Sequence, residues 1–159
     1  MTGRSGVESF DGAKLKAARH ARMMSQEQLE QASNVPQPNL SQLENAERKP
    51  QPNVLARLAA ALETSPASLC RDVREPGLRQ LRERAGLLQN QAARAIGPKT
   101  SRSAYAMVES GATERLGAHA ADALAAAFGA SSTEIIAAHL RDVEHRRASR
   151  HEQAEEEQP

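Results

Sequence analysis

The strongest constraint on the fold is that the chain repeats itself. LKAARHAR at 15–22 parallels LRQLRERA at 78–85, and SQLEN at 41–45 parallels AMVES at 106–110, which sets Glu44 and Glu109 65 residues apart. Further on, LARLAAALETSPASL at 55–69 parallels DALAAAFGASSTEII at 122–136, each an apolar helix, a break with a Ser or Thr cap, and a second short helix. In a chain of 159 residues this leaves two bodies of about 60 to 70 residues each, near the lower limit for an independent core. RDVREPG at 71–77 separates them with a Pro-Gly break, a strong local stop signal. The expected organisation is a loose N-terminus at 1–10, a first domain at 11–71, a linker at 72–77, a second domain at 78–140 and a charged tail at 141–159, with the acidic run at 155–157 solvated.

Composition decides what each body is made of. Two Phe, one Tyr and no Trp are present, β-branched residues are sparse and Ala and Leu abundant, so the apolar side chains suit helices rather than sheets. The expected class is all-α, with about five short helices per body; in the first they fall near 12–23, 25–32, 36–45, 52–62 and 66–70. Ser25 and Gln28 stand in the relation of a capping box, and Pro52 and Pro66 sit where a first helical turn tolerates a missing N–H.

Several function classes are excluded or left without support. The lone Cys70 rules out an internal disulfide and a cysteine-based zinc site, and fits a reducing cytosol. His139 and His145 do not share an i,i+4 spacing, so the histidines read as surface residues and no metal is expected. No glycine-rich phosphate loop, nucleophile elbow or recognisable carboxylate pair appears, so no enzyme, cofactor or small-molecule ligand is expected. No signal-like segment opens the sequence and no run approaches a membrane span, which points to a cytoplasmic protein. A net charge of +1 gives no global attraction for nucleic acid, so phosphate contacts must come from local clusters.

The segment at 25–45, SQEQLEQASNVPQPNLSQLEN, carries a more specific signal. Leu29, Val35, Leu40 and Leu43 at their spacing point inward and hold two helices at a wide angle, leaving the second free to enter a major groove about 12 Å wide. After Ser33 the turn needs a residue that accepts a left-handed conformation, and Asn34 is tolerant of it. Over its whole length the segment resembles the helix-turn-helix of the Cro and phage-repressor (XRE) family, which usually has Gly at the position of Asn34. The resemblance covers 12–70 strongly and 78–140 more loosely, and implies two consecutive five-helix, lambda-repressor-like helix-turn-helix domains.

The same resemblance assigns roles. Arg19 and Glu44 form a scaffold pair; Gln26 contacts a phosphate and braces Gln37; Gln37, Asn39 and Gln42 face the groove. Gln and Asn amides can make bidentate bonds to adenine N6 and N7. Pro38 belongs to this face and constrains it, because proline disfavours helical dihedrals at Gln37. Arg48 and Lys49 in the following loop supply phosphate contacts and Asn45 a further bond to the DNA backbone.

In the second body, 87–111 keeps Gln89, the turn residue Gly97, Val108 and Glu109, with two extra residues in the turn and Arg82 in the place of Arg19. There Arg102 and Ser103 take the positions of Gln37 and Pro38, with Lys99 and Ser101 beside them, and Arg is the usual reader of guanine. Ala106 and Met107 make this face less polar, so reading DNA and serving as a dimerisation or partner-binding domain both stay open. Ile135, Ile136, Leu140 and Val143 form a stripe that suits either a homodimer or packing within the domain. The expected function is sequence-specific double-stranded DNA binding by a transcriptional repressor that occludes a promoter. The rival is a protein-interaction or antitoxin-like module.

Overall fold

Nine α-helices, one short 3-10 turn and no strand make up the described residues, 6–156, of the computed structural model. They divide into two units: residues through Arg74 together with Glu83–Leu88, and Glu75–Arg82 together with the residues from Gln89 onward.

In the first unit the helices are α1 (Gly12–Ala21), α2 (Gln26–Ser33), α3 (Gln37–Glu44) and α4 (Pro52–Ala61), followed by a 3-10 turn at Pro66–Leu69. The side chain of Asp11 accepts from the Ala13 and Lys14 amides and starts α1, while Ser25 and Gln28 make both bonds of a capping box at the head of α2. Leu15, Leu29, Leu40, Leu55 and Leu58 are fully buried in one cluster, so each short helix contributes its apolar side to a single leucine-rich core.

The second unit is built from α5 (Leu78–Arg84), except its last two residues, and from α6 (Gln89–Ile96), α7 (Arg102–Glu109), α8 (Ala118–Phe128) and α9 (Ser132–Glu156). Its buried residues are smaller: Ala92, Ala93, Ala121 and Ala138 are buried alongside the larger Leu124, Ile135 and Tyr105. The expected boundary within 72–77 does not account for Glu83–Leu88, which group with the first unit; Gly86 there is buried, and a Cβ on it would lie 2.8 Å from the Ala56 Cβ.

Three expectations need correction. The N-terminal segment is not loose from residue 6 on: Val7 is fully buried, Phe10 bridges to Cys70, and the Arg71 amide donates to the Ser9 carbonyl at 2.7 Å. Residues 1–5 lie outside the described part. The tail is a helix as far as Glu156, and its first turn belongs to the second unit, where Asp142 accepts from the Leu78 amide at 2.9 Å and Val143 is buried. Of the acidic run, Glu157 lies outside the described residues. Finally, His139 is buried rather than at the surface, on the same side of α9 as Ile135 and Val143, whereas Ile136 and Leu140 face out.

Among the described residues no helix is long and apolar enough by itself to cross a membrane, and no cluster of three or more potential metal-binding side chains occurs.

Candidate nucleic-acid interface

A buried ion pair fixes the helix that carries the first set of expected readers. Arg19 on α1 meets Glu44, the last residue of α3, through two parallel bonds of 2.6 and 2.9 Å, and donates a third to the Met24 carbonyl at 2.8 Å. Gln26, at the head of α2, adds an amide bond of 3.0 Å to the same carboxylate. One glutamate therefore ties α1, α2 and α3 together in a bidentate geometry that fixes angle as well as distance. Burial pushes the Glu44 carboxyl up, but the bonds from Arg19 and Gln26 outweigh it and hold it below the ordinary value, while Glu44 holds the Arg19 guanidinium above its own.

With its C-terminal end anchored in this way, α3 buries Leu40, Leu43 and Glu44 and exposes Gln37, Pro38 and Gln42, with Asn39 half-buried. Asn34 takes the left-handed turn conformation at φ 56°, as the turn chemistry requires. Pro38 does not break the helix. It is the second helical residue, where its missing N–H is one that an α-helix leaves unpaired anyway, and the helix still begins at Gln37. Asn45 caps the end of α3 and is exposed, and Arg48 and Lys49 project from the loop that follows.

One expected contact is absent among the described residues: no hydrogen bond joins Gln26 to Gln37, and the Gln26 amide donates to Glu44. The structure also adds a cation that the sequence reading missed. Arg57 on α4 donates to the Asn34 carbonyl at 3.3 Å and lines a cleft of about 540 Å³ with Asn39, Arg48, Lys49 and Gln51. Its signal was present: it is the one cation in the apolar LARLAAAL helix.

The second unit repeats the anchor and extends it. Arg82 meets Glu109 at 2.6 and 3.3 Å, Gln89 donates to Glu109 at 2.7 Å, and the Tyr105 hydroxyl, in the place of Leu40, donates at 3.2 Å. Burial and the neighbouring Glu109 carboxylate push the Tyr105 phenol far up, so it stays a donor. The other face of the Gln89 amide then accepts from the Arg102 guanidinium at 3.3 Å. The bracing bond expected between Gln26 and Gln37 is thus found at the matching pair, Gln89 and Arg102.

Lys99, Ser101, Arg102 and Ser103 are all exposed, and the Ser101 side chain caps α7 by accepting from the Ala104 amide at 3.0 Å. Gly97, expected as the counterpart of Asn34, does not take a left-handed conformation, unlike Gly86, Gly111 and Gly129. The two extra residues relieve it: the chain leaves α6 through a wider turn in which the Thr100 amide bonds back to the Gly97 carbonyl at 3.0 Å.

Residues 15–69 match a family model described as helix-turn-helix, and residues 77–138 match a second, described as a helix-turn-helix domain. No curated protein and no solved structure matches the chain.

Proposed function

Since both units are helix-turn-helix domains and the chain belongs to the DNA-binding proteins of the Cro and phage-repressor type, we propose that it is a cytoplasmic transcriptional repressor in which both units read bases in the major groove. In the first unit Gln37, Asn39 and Gln42 are the readers, with Pro38 shaping their turn. Arg48, Lys49 and Asn45 hold the DNA backbone, and Gln26 is chiefly a scaffold residue. In the second unit Arg102 is the reader, with Ser103 beside it and Lys99 and Ser101 at the flanking phosphates.

The observation that carries the reading of the second unit is the relay from Glu109 through Gln89 to Arg102. A guanidinium held at the head of an exposed helix loses less rotamer freedom when it meets the guanine edge.

Selection of bound sequences from a random DNA pool tests this, run on wild type, on Gln37→Ala combined with Gln42→Ala, and on Arg102→Ala. Wild type is expected to enrich a two-part motif, with a different part weakened in each variant. A single motif lost only with the glutamine pair would leave the second unit to dimerisation or a partner, and no enrichment at all would favour a protein-interaction module.

A further inference from the structure

The loop that follows α3 carries Arg48 and Lys49, and its own backbone does little to fix it. Its start is tied down, since the Ala46 and Glu47 amides donate to the Leu43 and Gln42 carbonyls. For residues 48–50, in contrast, the backbone hydrogen bond among the described residues is the one the Pro50 carbonyl accepts from the Val7 amide, at 2.8 Å. The backbone hydrogen bond that holds the cationic part of the loop therefore comes from the N-terminal segment of the unit.

That segment is itself well anchored. Val7 is fully buried in the leucine core, Phe10 bridges to Cys70, the Asp11 amide donates to the Leu69 carbonyl at 3.0 Å, and Arg71 donates from its side chain to the Glu8 carbonyl at 3.1 Å. It runs as a strap from the 3-10 end of the unit to the cationic loop. The approach is closest at Gly6, where a Cβ would press on the Lys49 carbonyl oxygen and lie 2.6 Å from its carbonyl carbon and 2.7 Å from its Cβ. These are backbone atoms and the root of a side chain, so no rotamer change relieves the clash.

We propose that residues 6–10 form a strap that holds the backbone of Lys49 and Pro50 in register with the DNA phosphates, with Gly6 and Val7 as its positioning residues. This rests on the reading that Arg48 and Lys49 contact phosphate. Neither Gly6 nor Val7 touches DNA; each acts through the loop.

Phosphate contacts are counted by the salt dependence of affinity, whose log–log slope is about 0.9 per contact on duplex DNA. The experiment titrates the selected duplex over a series of salt concentrations with wild type, Arg48→Ala combined with Lys49→Ala, Gly6→Ala, and Gly6→Ala combined with the loop pair, with far-UV circular dichroism as a check on folding. The loop pair is expected to lower the slope, and Gly6→Ala to lower it by about 0.9 or more, which reduces the affinity lost in a fourfold salt increase by about 3.5-fold per contact. In the triple variant Gly6→Ala should add nothing, and its own base preference should match wild type.

A wild-type slope for Gly6→Ala, or a loss of base preference in step with affinity, overturns the proposal. If the loop pair itself leaves the slope unchanged, the phosphate role of Arg48 and Lys49 fails first, a separate outcome. Should Gly6→Ala not fold, Val7→Ala, which keeps the amide bond and loosens its seat, is read by the same criterion.

Discussion

The two units place the same carboxylate at the same point and surround it differently. Glu44 accepts from Arg19 and Gln26, and next to it Leu40 is simply core. Glu109 accepts from Arg82 and Gln89 and also from the hydroxyl of Tyr105. In the first unit the network ends inside the domain and the exposed side chains of Gln37 and Gln42 on α3 are free to adapt. In the second it continues through Gln89 to the exposed Arg102. A shared scaffold can thus carry a loose amide surface on one copy and an oriented guanidinium on the other.

The largest expected effect follows from how many donors each glutamate satisfies. Removing one partner of a buried ion pair costs about 3–5 kcal/mol, because the other charge is left uncompensated. Glu109→Ala strands Arg82, Gln89 and a buried tyrosine hydroxyl, while Glu44→Ala strands Arg19 and Gln26, so the second unit should lose more. Tyr105 is the only tyrosine and there is no tryptophan, so tyrosine fluorescence during urea unfolding reports the second unit, and circular dichroism reports both. Equal losses, or a greater loss from Glu44→Ala, would mean that the tyrosine bond adds nothing to the anchor.

Next in size is the effect on base reading. A well-placed bidentate contact discriminates between bases by about 1–3 kcal/mol. Gln89→Met, which keeps the length and removes the amide, should release Arg102 and forfeit part of that discrimination at a guanine. Gln26→Met should weaken the scaffold without changing which base Gln37 prefers, since the two do not bond. Enrichment profiles for both variants decide the matter: an unchanged guanine preference in Gln89→Met would reduce the relay to packing.

The local signals in the sequence were the ones that translated into structure. The Ser25–Gln28 capping box and the tolerant Asn34 each act within a few residues, and the pairing of Arg19 with Glu44 came with the resemblance; all three are present. The strap was not legible because the contacts of Val7 with Pro50 and of Phe10 with Cys70 span most of a domain, and a segment without periodicity gives no hint of where it docks. His139 misled for another reason. It stands four residues from both Ile135 and Val143, so helical spacing alone turns it inward, but its polarity suggested the surface.

Acidity separates the units with a smaller effect. Glu44 is held below the ordinary carboxylate value, so its contribution to stability is complete above the unfolded value of about 4.3 and is lost as pH falls through the lowered one. Asp142, on α9 in the second unit, has the opposite sign. Burial raises it, so the stability it gives is present below the unfolded value of about 3.9 and is lost as pH rises through the raised one. Unfolding measured across pH should therefore show a shallower acid loss in Glu44→Gln than in wild type. Asp142→Asn, which can still accept from the Leu78 amide, should remove a loss that wild type suffers on the alkaline side of that range. Parallel pH profiles for either variant and wild type would contradict the assignment.

The smallest expected effect is at the turns between α2 and α3 and between α6 and α7, which differ by two residues in length and in geometry. Asn34 sits at φ 56°, a region that costs a residue with a Cβ roughly 1–2 kcal/mol unless its side chain bonds locally, so Asn34→Ala should destabilise the first unit. Gly97 takes the matching place, yet it is not left-handed and a Cβ there meets no atom within 4 Å. Replacing it with alanine restricts the unfolded chain without straining the folded one, which should stabilise the second unit by about 0.4–1 kcal/mol. Opposite signs at the two positions are what a wider turn requires. If Gly97→Ala instead destabilised the second unit as Asn34→Ala does the first, the two extra residues would not have relieved the turn, and the two copies would share one conformation there.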